Sequence, residues 1–418
     1  MKRFLKTILS LTLFVIIAWA QFAHSNTYEV TIINVPDSTR TVATGINELG
    51  EIVGYYWGYD GYEHGFLLSG GSFTTFDVPG AIEIEPNGID AQGRIVGIYS
   101  NPWAHGFLYD WGNLTFFDIP ITIEGAIPVT YAYGINGQGD IVGRSMEVIC
   151  GVLCWGYNDH GFIRNVNGGY TFFDLGLNLT IPYGINNQGQ IVGQYLSING
   201  FSGFLREING AYIDLNFPGG EDTHPLRIND KGQIVGYYVD SEGIHNFIYE
   251  GGNFTLIEID IPGAVYTLAR GINNQGQIVG YYSLGYGEFH GFLATPMVLP
   301  FKISGGAYFY PETSTYRASF SLDVTGPISP SGWLKYYYTR TRMNFVSTGI
   351  TSVSLSGNTA TISGTGTVNG VGGYTFTATV TNGSPDSFGI VIKKPDGSTY
   401  YSAGPKNISG GDLVVSPL

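Results

Sequence analysis

The stretch Gly45-Ile46-Asn47-Glu48-Leu49-Gly50-Glu51-Ile52-Val53-Gly54 decides the fold, because its pattern occurs six times. Gly-Ile-Asn-x-x-Gly-x-Ile-Val-Gly opens at Gly45, Gly88, Gly134, Gly184, Arg227 and Gly271, at spacings of 43, 46, 50, 43 and 44 residues. Only the fifth copy replaces the opening glycine, with Arg227, and Asp90 stands for asparagine in the second. Apolar residues on both sides of Asn-x-x-Gly read as two strands joined by a tight hairpin. Asn or Asp accepts hydrogen bonds from the backbone ahead of it, and glycine supplies the positive φ that ends the turn. A calcium loop would need alternating acids, and no copy has them.

Working outward, each core is followed by a variable stretch and then a third strand. That strand opens at His64, His105, His160 and His290 as His-Gly-Phe, with His245-Asn246-Phe247 and Ser202-Gly203-Phe204 as variants. A glycine turn leads to a fourth strand such as Phe73 to Pro79. Four strands per 43 to 50 residues predict β-propeller blades. The sixth copy ends at Leu293 without its fourth strand, while Tyr28 to Pro36 forms a strand of that kind ahead of the first core. The expected fold is therefore all-β: a six-bladed β-propeller over residues 26–299, closed by an N-terminal strand that completes the last blade. The histidines recur at the same position in five blades, which predicts a hydrogen bond to a neighbouring strand within their own blade and no shared metal ring.

The core, the His-Gly-Phe strand and the Phe-Thr-x-x-Asp-x-Pro-Gly-Ala strand together resemble the HAF-type extracellular repeat. The resemblance covers roughly residues 27–295. It implies an exported bacterial protein with repeats of unassigned molecular role, and it supplies no catalytic residues.

From Phe301 the repeat stops. Residues 300–418 read as alternating strands, for example Tyr316 to Val324 and Gly373 to Val380, and predict a C-terminal β-sandwich. This segment is similar to small C-terminal domains that follow anchor-type modules in exported bacterial proteins. Residues 26–300 carry 28 acids against eight bases, a charge of −20; residues 301–418 carry +3. The opposite signs predict different partners for the two halves.

The chain of 418 residues has a net charge of −14, which argues against nucleic acid, whose phosphates require clustered Lys and Arg. Lys2, Arg3 and Lys6 precede an apolar run from Thr7 to Ala20, too short to span a bilayer. Residues 1–25 are expected to be a secretory signal peptide, cleaved after Ala20 or Ser25, leaving a secreted or cell-envelope protein with no membrane-spanning segment. In that oxidising setting Cys150 and Cys154 are expected to form a disulfide across a chain reversal; a thiol metal site with His160 lacks a visible fourth ligand. No metal or cofactor is expected.

Two groups of residues are candidates for binding. Successive hairpins alternate between the faces of the ring, so the variable loops share one face. There Trp57, Tyr59, Asp60, Trp103, Trp155, Tyr157, Asp159 and Tyr286 combine aromatic rings with acids, the pairing that takes a pyranose face and its hydroxyls. The alternative is that these rings pack against neighbouring loops. At the entry of the innermost strands, Glu85, Asn87, Tyr133, Tyr183, His224 and Arg270, together with Tyr131, could surround the channel mouth. The leading function is an exported, non-catalytic binding module for a glycan, cell-envelope polymer or protein ligand. The alternatives are a lactonase- or glycosidase-like propeller hydrolase with its site at the channel mouth, and a structural surface or matrix protein. Against an enzyme stand the absence of sialidase boxes, of a Gly-x-Ser-x-Gly elbow and of His-Glu-x-x-His.

Overall fold

A computed structural model of the chain describes residues 28–150, 154–176, 179–297, 300–312, 315–327, 329–356 and 358–417, with the backbone alone for 154–158, 356 and 417. The expected signal peptide lies outside the described residues. The chain divides into two compact units between Met297 and Val298. Among the described residues no helix is long and apolar enough to cross a membrane.

The first unit is six four-stranded antiparallel sheets arranged as the blades of a propeller. Blade 1 runs from the innermost strand Ser38–Ile46 through Ile52–Gly58 and Glu63–Ser69 to Ser72–Phe76. Blades 2 to 5 repeat this order. In blade 6 the outermost place is taken by Tyr28–Ile33, which pairs with Glu288–Pro296 from Tyr28↔Pro296 to Ile33↔Gly291. The register carries the chemistry with it. His64, His105 and His160 bond the acid that follows their own blade's fourth strand, Asp77, Asp118 and Asp174, at 2.8 to 2.9 Å. In the closing blade His290 finds Asn34 from the N-terminal strand at 3.0 Å.

The Ile-Val pair of each core explains how blades stack. Successive strand residues face opposite sides, so the two side chains enter different interblade layers. Val53 of blade 1 packs with Ile95 and Phe107 of blade 2, and Val279 of blade 6 packs with Ile52 and Phe66 of blade 1. The third-strand phenylalanines Phe66, Phe107, Phe162, Phe204, Phe247 and Phe292 are all fully buried, each worth about 2 to 3 kcal/mol of burial.

The asparagine of the core does two jobs at once. In Asn47 the side-chain oxygen accepts from the amides of Leu49 and Glu51, at 3.0 and 2.9 Å, which shapes the hairpin. Its Nδ2 donates to Glu51 within the turn and to Asp90 O of the next blade, at 2.8 and 3.0 Å. Asn136, Asn186, Asn229 and Asn273 repeat the outward bond to Asn186, Asn229, Asn273 and Asn47 carbonyls respectively, so the chain of bonds returns to its start. Blade 2 is the exception, because Asp90 has no proton to give. Arg94 supplies it: Nε holds Asp90 at 2.6 Å and Nη2 reaches Gly137 O of blade 3 at 3.2 Å.

The second unit differs from the expected sandwich. Its nine strands form one continuous sheet, a meander from Phe301–Phe309 to Thr399–Asn407 with Gly410–Pro417 added beside the first strand. The sheet curls so that its inner face packs on itself. Phe320 and Phe388, on strands separated by four others, stack at 3.8 Å inside one core with Phe309, Tyr336 and Phe345. The first eight strands pair in sequence order and the ninth returns to the first, so all nine stay in one sheet. The long strand Met343–Ser356 carries two register shifts, which bend it.

The Asp90–Arg94 pair should behave as one replacement unit. Asp90→Asn alone strands Arg94 and should cost about 1 to 3 kcal/mol, whereas Asp90→Asn with Arg94→Gln, the arrangement of blades 4 to 6, should recover most of that loss. Urea unfolding of the two variants checks the coupling.

Candidate functional site

The innermost strand of every blade has a register shift at the same place, two residues before to the opening position of the core, for example between Ala43 and Gly45. A bulge re-aims the extra residue. Here that residue is Thr44, Asn87, Tyr133, Tyr183, Leu226 or Arg270. The next position is the pinch of the channel. A Cβ added at Gly88 would stand 3.0 Å from Tyr133 O, and one at Gly134 would stand 2.8 Å from Tyr183 O, so glycine is required by close approach of neighbouring blades.

Arg227 is the one side chain at that ring. Its Nη1 donates to Tyr183 O and Leu226 O, both at 2.8 Å, and Nη2 to Asn87 O at 2.5 Å and Tyr133 O at 3.1 Å. One guanidinium thus ties blades 2 to 5 together on the axis. Burial and the nearby Arg270 push its pKa down to about 9, so it is charged at neutral pH. Below it, on the face of the Asn-x-x-Gly turns, lies a cavity of about 80 Å³ lined by Asn47, Asn136, Glu48 and Asp230. The amides there are committed to interblade bonds, and Asp230 holds Asn187 at 2.8 Å. This cavity therefore belongs to the closure of the ring.

Above Arg227, on the face of the variable loops, lie several of the residues expected at the mouth. The rings of Tyr133 and Tyr183 lie 5.0 Å apart. Arg270 holds in blade 6 the bulge position that Tyr133 and Tyr183 hold in blades 3 and 4, and it is coupled electrostatically to Tyr55, Glu85, Tyr183, Tyr237 and Tyr281. Burial opposes its charge, yet its pKa stands above the ordinary value, with Glu85 as the carboxylate that favours the charge. Burial raises Tyr55, Tyr133, Tyr183, Tyr237 and Tyr281, so all five keep their protons. Glu85 is raised by burial and partly restored by Arg270. His224 stacks on Tyr237 at 4.4 Å, bonds Gln194, and is kept neutral by burial. Asn87 is buried and spent on the carbonyls of Glu85 and Ala132.

The loop residues divide. Trp57 is half-buried, edge-on to Tyr55 at 5.3 Å and against Phe289 of blade 6, with the Arg40 guanidinium 5.3 Å from its ring. Trp103 packs on a core of Ala104, Val129 and Val148 at the border with blade 3. Asp60 holds His64 at 3.1 Å, and Asp159 is paired with Arg144 at 2.5 Å. For these four, packing or pairing accounts for the side chain. Tyr59 and Tyr286 are exposed, at 79% and 109%. The side chains of Trp155 and Tyr157 lie outside the described residues. Cys150 is disulfide-bonded and pairs in register with Cys154 at the end of the longest hairpin of that face.

Two features escaped sequence reading. Tyr55, Tyr237 and Tyr281 follow the Ile-Val-Gly of their cores and are legible only once the second strand is known to border the mouth. Glu63 begins the third strand of blade 1 and leaves Oε2 buried with no hydrogen-bond partner among the described residues. Burial first, then the carboxylates of Glu85 and Glu83, push it up to about 7.

No family model matches the chain, and no curated protein matches it. Among solved structures it is similar to an inactive virginiamycin B lyase from Staphylococcus aureus in complex with quinupristin, at 12% identity and TM-score 0.40, over 65% of this chain and all of that one. It is likewise similar to a luciferin-regenerating enzyme, at 12% identity and TM-score 0.41, over 65% of this chain and 96% of that one. TolB from Acinetobacter baumannii matches over 94% of this chain and 83% of its own at TM-score 0.31 and 12% identity. Likeness this distant carries no argument about activity.

Glu63 gives a pH signature. Its pKa rises from 4.5 unfolded to about 7 folded, so the folded state holds the proton more tightly. The stabilisation is full below pH 4.5 and is lost as pH rises through 7. Glu63→Gln, which keeps the neutral shape, should match the wild type in acid and exceed its melting temperature above pH 7. Thermal melts between pH 4 and 9 test the sign.

Proposed function

We propose that the chain is an exported, non-catalytic binding module of the HAF-repeat kind, and that its variable-loop face takes a glycan or cell-envelope ligand at and around the axial mouth. The observation that supports this most is the shared bulge register that sets Tyr133, Tyr183 and Arg270 around the axis, with the two tyrosine rings 5.0 Å apart, above the point that Arg227 blocks. Tyrosine hydroxyls around the mouth donate and accept, and their rings offer faces to a pyranose. Exposed Tyr59 and Tyr286, on adjacent blades, extend the same chemistry to the rim.

The test is an array of neutral and acidic glycans probed with the full exported chain. Tyr59→Ala with Tyr286→Ala should weaken retention roughly fivefold without lowering the melting temperature. Retention of no glycan would sink the reading. Trp57 and Trp103 are poor probes because both are packed.

One observation favours a hydrolase as the second reading. Glu63, protonated up to about pH 7, stands near Glu85, whose charge Arg270 favours, and such a pair can divide the roles of acid and base. The purified chain would then turn over an aryl glycoside or a lactone, and Glu63→Gln would abolish it; absence of turnover by the wild type removes this reading.

A further inference from the structure

The propeller has seven arginines, and their surroundings differ. Arg94 and Arg144 are bonded to Asp90 and Asp159. Arg40, Arg164 and Arg206 lie over aromatic rings. Arg227 spends both terminal nitrogens on four carbonyl bonds. Arg270 is different: it is half-buried, and its guanidinium makes no hydrogen bond and no ion pair within 4.0 Å among the described residues. Glu85 acts on it only from beyond that distance. Arg227 adds a second positive charge on the same axis, while Glu83 and Glu63 stand beside Glu85 on the other side of the balance.

A guanidinium edge presents two parallel N–H donors, the geometry of a carboxylate. Around it stand phenols, which suit a sugar ring better than a peptide backbone. Glu85 is near enough to disfavour a second negative charge on the ligand, and so selects a monoanion over a phosphate dianion. We propose that the axial mouth binds the acidic end residue of a glycan, a uronate-type sugar, with Arg270 on its carboxylate and Tyr55, Tyr183 and Tyr281 around its ring. This inference rests on the binding reading above and names its ligand class. Arg270 is the specificity residue: the tyrosines hold any pyranose, and the guanidinium selects the acid.

Titration calorimetry with the full exported chain separates the claims. The probes are galacturonate, glucuronate and mannuronate oligosaccharides, their methyl esters, matching sugar phosphates, and a short peptide with a free C-terminal carboxylate. At least one uronate should bind about 10- to 100-fold more tightly than its ester and its phosphate analogue. Arg270→Gln should lose that preference, so that acid and ester bind with similar affinity. If Arg270→Gln fails to give a cooperative melt, the acid-to-ester ratio of the wild type decides alone. Equal affinity for acid and ester, or an acid preference that survives in a folded Arg270→Gln, overturns the role of Arg270 and leaves glycan binding standing. Preference for the peptide overturns the sugar class. Failure of every glycan, here and on the array, overturns both readings.

Discussion

The ring is closed by one small group used to its full capacity, the amide of the core asparagine. An amide has two N–H donors and an oxygen that accepts twice. Asn229 spends the oxygen on the amides of Lys231 and Gln233, one donor on the Gln233 side chain and the other on Asn273 O of the next blade. Local turn and neighbouring blade are thereby fixed by the same atoms, and neither can shift without unmaking the other. The four contacts also explain the residue four positions on. It must accept when the core residue is Asn, as Glu51, Gln190, Gln233 and Gln277 do, and must donate when it is Asp, as Arg94 does.

Because this network lies on one face, the other face is released from it. Hairpins alternate, so the Asn turns carry the interblade bonds and the opposite loops carry the length variation, up to the hairpin that ends at Cys150. The pinch of the channel follows the same division. Five glycines let the blades meet, and room remains for one side chain on the axis, which Arg227 fills. A six-fold repeat of any charged group there would repel itself. A useful site on a symmetric ring therefore has to be built from residues that break the repeat, and Arg227, Arg270, Glu85 and Glu63 each do so.

That distinction governs what the sequence disclosed. Periodic features were legible because the copies confirmed one another: the strand count, the closing strand, and the histidine bond within the blades that carry the histidine. Aperiodic features had one chance each. Trp57 and Trp103 look alike in sequence to exposed Tyr59 and Tyr286, and only packing separates them, since composition does not say which side of a loop faces a neighbouring blade. The mouth residues were found from their position before the core, but their partners Tyr55, Tyr237 and Tyr281 sit on the second strand and needed the register. In the tail, alternation revealed strands without revealing that one sheet would curl on itself, because pairing order is a property of the whole meander.

The charge of the propeller then acquires a direction. A domain at −20 repels anions at long range, yet its axis carries two guanidiniums with Glu85 as the carboxylate that acts on Arg270. At physiological salt the repulsion is screened beyond about 8 Å, whereas the axial field acts within a few ångströms in a low-dielectric mouth, where a charge–charge contact is several times stronger than at the surface. Selectivity for an anion would therefore be decided on contact, after diffusion has brought the ligand to the loops. Such an order suits a polymer: its neutral residues could engage exposed rings such as Tyr59 first, at little electrostatic cost, and only a chain end short enough to enter between the tyrosines would reach Arg270.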